Sequence, residues 1–142
     1  MQFLAYILIY PFLWFISMLP FRLLYAFSDG VYILIYYIIG YRRKVVKENL
    51  NLVFPEKSEQ EINRITKAFY HHLCDMMLES IKSLTISESE MKNRFRFSNI
   101  ELLQNIENDN KNYALMCAHY GSWEWIFIIQ SYMKNKGYAV YK

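Results

Sequence analysis

The sequence predicts an α/β protein attached to a membrane by its N-terminus: an anchoring helix, a helical lead-in, then the start of a mixed or parallel sheet with flanking helices. Three observations predict this. Residues 1–40 carry only two charged side chains, Arg22 and Asp29, whereas the remainder of the 142-residue chain is ordinary globular sequence. Residues 59–84 repeat apolar side chains at helical spacing. Residues 113–118, YALMCA, are a continuous apolar run suited to a strand buried on both faces. The change of composition at Tyr41 divides the chain into a membrane anchor with an interfacial helix (1–40) and the N-terminal part of a globular domain (41–142).

The first block sets the cellular context. The stretch FLAYILIYPFLWFISML (3–19) has 17 residues and no charge. At about 1.5 Å per residue it extends roughly 25 Å, slightly less than a hydrocarbon core of about 30 Å. Pro11 is tolerated in a membrane helix as a kink. No bases precede the run and no small-x-small site follows it, which argues against a cleaved signal peptide. The second stretch, 21–39, is interrupted by Arg22 and by Ser28-Asp29-Gly30. Asp29 at mid-bilayer would cost about 2.5–3.5 kcal/mol, so a helix pair or an in-plane segment is expected, with two spanning helices as the alternative. Immediately after it, YRRKVVK (41–47) places Arg42, Arg43, Lys44 and Lys47 where bases mark a cytoplasmic face and attract anionic headgroups. A net charge of +3 does not call for nucleic acid, and none is expected as a partner.

Downstream, Pro55 ends a basic helix, and Ser58 with Glu61 forms an S-x-x-E capping box. The next helix is expected over 59–84, burying Ile62, Ile65, Phe69, Leu73, Met76, Met77, Ile81 and Leu84. On it His71, His72, Asp75 and Glu79 share i, i+4 spacing, but the pattern is not H-E-x-x-H and lacks a third strong ligand, so no metal is expected. Cys74 and Cys117 have no metal-ligand spacing and are expected as two buried thiols. RFRFSN (94–99) alternates as a strand does, residues 100–108 form a short helix, and 109–112 a turn. A helix over 123–136, capped by Gly137, and a strand starting at YAVY (138–141) complete a right-handed βαβ unit. One such unit leaves edges needing further strands, so residues 1–142 are expected to be the front of a larger protein.

The chemistry concentrates in CAHYGSWEW (117–125). His119 ends the buried run, at the strand's carboxyl end, where α/β sheets place ligands. Gly121 supplies the turn, Ser122 an N-cap, and Glu124 lies in the first helical turn, where the helix dipole favours its ionised form. An imidazole beside a carboxylate can act as a general base. The competing interpretation is a core histidine with an unrelated surface glutamate. Trp123 and Trp125 are expected to pack rather than react.

AHYGSWE resembles the H-x4-[D/E] motif of glycerolipid-type acyltransferases, in the form found in the late acyltransferases of lipid A biosynthesis, the lauroyl/myristoyl type. RRKVVKENLNLVFPEKSEQE, MLES (77–80) and FRFSNIELLQ (95–104) resemble the same family upstream. The likeness covers this whole chain and about the first half of a usual member. It implies a glycerolipid-acyltransferase-like sheet, with 41–142 the truncated N-terminal part of the catalytic domain. It also implies transfer of a fatty acyl group from acyl carrier protein, or a coenzyme A thioester, to a hydroxyl of a lipid A precursor. The site would lie on the cytoplasmic side of the bacterial inner membrane and use no cofactor. His119 would be the base and Glu124 its supporting acid. Gly121, Ser122, Arg42 and Arg43 would bind substrate. Family members use further motifs downstream, so this stretch alone is expected to be inactive or incompletely folded. A lysophospholipid or aminolipid acyltransferase and a non-catalytic membrane-anchored fragment are the alternatives.

Overall fold

The computed structural model describes residues 2–109 and 111–138. The chain forms two compact units, one ending at Thr85 and the other starting at Ile86. The first contains helix α1 (Gln2–Met18), α2 (Phe21–Tyr32), which runs on as a π-helical segment (Ile33–Ile39), α3 (Arg43–Val53) and α4 (Glu59–Lys82). The second contains α5 (Glu88–Arg94), α6 (Ile100–Asn108) and a 3₁₀ helix (Trp123–Tyr132).

Local signals place the helix starts. Pro20, extended at φ −60° and ψ 148°, ends the α1 region and opens α2. The Ser58 hydroxyl accepts from the Glu61 amide at 3.3 Å, and the Ser58 amide donates back to the Glu61 carboxylate, closing the expected capping box. Ser87 caps α5 with its hydroxyl alone, which accepts from the Glu90 amide. Gly40, at φ +68°, ends the π segment, where its amide donates to the Ile35 carbonyl at 3.0 Å. The expected interruption at Ser28-Asp29-Gly30 is not present. Residues 21–39 are continuously helical, and among the described residues this is the helix long and apolar enough to cross a membrane. Packing of one face explains the continuity: Ser28 is buried, while Asp29 is solvated at the helix flank.

Helix α4 is the backbone of the first unit. Its buried ladder is Ile62, Thr66, Tyr70, Cys74, Leu78 and Lys82, a strict i+4 repeat rotated one position from the stripe expected from hydrophobicity. Phe69, Met77 and Leu84 are exposed. The rotation follows from polar contacts that hydrophobic spacing does not register. The Tyr70 hydroxyl donates to the Tyr41 carbonyl and its ring meets Tyr36 at 5.3 Å. The Lys82 ammonium donates to the carbonyls of Ser17 and Leu19 at 2.8 Å each, and the Thr85 hydroxyl reaches the Ser17 carbonyl at 2.6 Å. Tyr25 donates to Glu79 at 2.6 Å and His71 meets Asp29 at 2.7 Å, so α2 runs antiparallel along α4.

The described residues contain no strand, which corrects the expected sheet. A strand exists only through pairing. Residues 113–118 carry no regular secondary structure and pair with no strand among the described residues, and Met116 is 91% exposed. RFRFSN falls instead across the end of α5 and an irregular stretch. The strand expected at 138–141 lies, beyond Tyr138, outside the described residues. The helix expected over 123–136 is the shorter 3₁₀ helix, ending at Tyr132 rather than at Gly137. Of the two thiols, Cys74 is buried and Cys117 is exposed, because the segment carrying Cys117 has no layer above it.

Candidate active site

The motif occupies an open turn between the irregular segment and the 3₁₀ helix. The Tyr120 amide donates to the Ala118 carbonyl at 3.0 Å and the Trp123 amide to the Gly121 carbonyl at 2.8 Å. These two tight turns reverse the chain around Gly121, which adopts φ +58°. An added Cβ at Gly121 would meet nothing within 4 Å, so the requirement for glycine there is one of backbone conformation and not of space. Ser122 is the N-cap residue, as expected, but its side chain does not cap the helix.

His119 is exposed, and its ring lies against Trp123 with centroids 4.2 Å apart and planes tilted by 54°. Glu124 stands in the first turn of the 3₁₀ helix, half-buried. No hydrogen bond or ion pair joins His119 to Glu124 among the described residues. The structure therefore brings His119 to Trp123, with Glu124 one residue further along. Trp125 is buried at 4% exposure, consistent with a packing role. Arg42 and Arg43 belong to the first unit, at the turn into α3. Arg42 adopts φ +50°, a conformation unusual for a residue with a side chain, and the Arg43 guanidinium lies 5.2 Å from the Tyr36 ring centre.

The ends of the motif-bearing segment are held by a residue that sequence reasoning missed. Glu107, at the end of α6, is buried to 4% exposure and accepts from the backbone amides of Lys134 (3.0 Å) and Asn135 (3.2 Å) and from the Tyr113 hydroxyl (3.4 Å). The Lys134 amide foremost, with Asn135 and Tyr113, holds this carboxyl below its usual range, against the opposing effect of burial. Tyr113 in turn is pushed up, by burial and then by the Glu107 charge. One carboxylate thus ties both ends of residues 113–134 to α6. A signal was present: an acidic residue in the last turn of a helix opposes the helix dipole and needs another partner. Around the clamp, Lys92 lies over the Tyr132 ring at 4.6 Å and pairs with Glu88 at 2.6 Å, fixing α5 to the 3₁₀ helix.

The polar face of α4 is occupied by pairing. His71 meets Asp29 through Nε2 at 2.7 Å and Asp75 through Nδ1 at 3.3 Å, a bridge between α2 and α4.

Across residues 1–142 the sequence matches the family described as bacterial lipid A biosynthesis acyltransferase. No curated protein and no solved structure matches the chain.

Proposed function

Because the chain belongs to the bacterial lipid A biosynthesis acyltransferase family, we propose that it transfers a fatty acyl group from an acyl carrier protein or coenzyme A thioester to a hydroxyl of a lipid A precursor. The observation that carries this reading is the family match over residues 1–142 together with His119, Gly121, Trp123 and Glu124 in one turn.

His119 is the general base. Its neutral imidazole takes the hydroxyl proton as the acceptor oxygen attacks the thioester carbonyl. The tetrahedral intermediate collapses by breaking the carbon–sulfur bond, and the imidazolium returns its proton to the departing thiolate. Such help contributes roughly 10²–10⁴ in rate. Glu124 orients the imidazole and stabilises its protonated form. Exposure of His119 leaves room for an acceptor hydroxyl, and Trp123 limits the ring's orientations.

Gly121 and Ser122 shape the oxyanion side of the turn, and Arg42 and Arg43 bind the acceptor's phosphates. The reaction takes place on the cytoplasmic side of the inner membrane, with no cofactor.

The test is deletion of the gene followed by mass spectrometry of lipid A and phospholipids. Loss of one secondary acyl chain from lipid A is expected. Unchanged lipid A with an altered phospholipid or aminolipid profile would assign a different acceptor, and no lipid change would identify a non-catalytic chain.

A further inference from the structure

Helix Phe21–Ile39 passes every length and hydropathy requirement of a membrane span, yet its neighbours are those of a surface helix. One face, formed by Phe21, Leu24, Ser28 and Tyr36, is buried. Helix α4 lies antiparallel along it: Glu79 meets Tyr25 at one end, His71 meets Asp29 in the middle, and Tyr70 meets Tyr41 beyond the other end. A crossing helix would therefore carry His71, Asp75 and Glu79 into hydrocarbon with it, and such groups are among the most costly there. The opposite face is an exposed apolar stripe. Leu23 (56%), Phe27 (40%), Leu34 (46%) and Ile38 (72%) recur at helical spacing along it. At its end come Arg42, Arg43, Lys44 and Lys47, with Glu48 the nearby acid, an exposed partner of Lys44 at 3.9 Å.

The geometry points to this helix lying in the plane of one leaflet, its stripe embedded at the acyl boundary and the basic turn on anionic phospholipid headgroups. Three layers follow from the side chains: lipid against Leu23, Phe27, Leu34 and Ile38; a protein core between the helix and α4; and water over α4's outer face, where Arg64, Lys67 and His72 are exposed. Charge complementarity selects the occupant. A second copy of the chain would bring four like bases against four, whereas an anionic leaflet neutralises them, at roughly fivefold in binding per base. Membrane entry then belongs to α1, and residues 21–39 set the height of α4 above the lipid. This surface does not depend on the acyl-transfer reading and survives if that reading fails.

The experiment uses the full chain, with Cys117→Ser so that Cys74, fully buried, is the remaining thiol. Phe27→Cys and Ile38→Cys are each labelled with a fluorophore and reconstituted in phosphatidylcholine vesicles containing phosphatidylglycerol. Quenching by lipids brominated at different depths should place both labels equally shallow, within about 10 Å of the headgroups. A spanning helix would separate them in depth by about 16 Å, and that result would overturn the proposal. In mixed vesicles the Ile38 label should be quenched more by brominated phosphatidylglycerol than by brominated phosphatidylcholine. Lys44→Gln with Lys47→Gln should weaken that preference. Equal quenching in the parent, or labels shielded from both lipids and self-quenching between copies, would also overturn it. Unchanged far-ultraviolet circular dichroism shows that each variant is folded.

Discussion

The ammonium of Lys82 lies 2.8 Å from the carbonyl oxygen of Ser17, with the Leu19 carbonyl at the same distance. Ser17 lies in the last turn of α1 and Leu19 just beyond its end, where carbonyls have no intrahelical partners, and a cation there also complements the helix dipole. The Phe21 ring lies beneath the ammonium, 5.4 Å from its centre. One buried lysine near the end of α4 thus fastens α1 to the rest of its unit.

Lys82→Met retains most of the apolar stem and removes the donor. The loss of hydrogen bonds from a charged group should cost about 2 kcal/mol. Denaturation of the detergent-solubilised chain measures it, and limited proteolysis should cut first near Leu19 and Pro20. A variant as stable as the parent, with the same cleavage pattern, would show that the contact contributes nothing.

Glu107 predicts a pH dependence. Its carboxyl is held low in the folded chain, so its contribution to stability is complete above the ordinary unfolded value of about 4.3 and declines as pH falls below it. Glu107→Gln should lower the melting temperature at neutral pH and leave a smaller difference from the parent in acid. A gap between parent and variant that is constant from neutral pH to pH 3 would exclude the carboxylate clamp.

Gly121 predicts a contrast between two substitutions. Alanine at φ +58° pays about 1–2 kcal/mol for the left-handed backbone, and asparagine pays less because it tolerates that region. Space does not enter, since a Cβ there meets no atom within 4 Å. Urea denaturation should therefore rank Gly above Asn above Ala. Equal losses for both variants would mean that something other than backbone conformation is being measured.

Features written in adjacent residues were legible from the sequence. The capping box of Ser58 and Glu61, the break at Pro55, the short helix at 100–108 and the left-handed turn at Gly121 each depend on a few neighbours. Features decided by distant partners were not. The buried stripe of α4 turned by one residue because Tyr70 and Lys82 answer to Tyr41, Ser17 and Leu19. The run YALMCA has the composition of a buried strand, but composition supplies no pairing partner. In the candidate site, the positions of His119, Gly121 and Glu124 around a turn were readable from spacing. The contact of His119 with Trp123 and the clamp at Glu107 were not, since each depends on how the turn and the return loop close.

The central claim is that His119 removes the acceptor's proton. The most direct measurement is acyl transfer from an acyl carrier protein thioester to a lipid A precursor by the full-length protein and its His119→Ala variant, both confirmed in the membrane fraction. The account predicts that the variant binds membranes normally and loses at least about 10²-fold in turnover, with Glu124→Gln losing less. Turnover retained within a few-fold of the parent would contradict it.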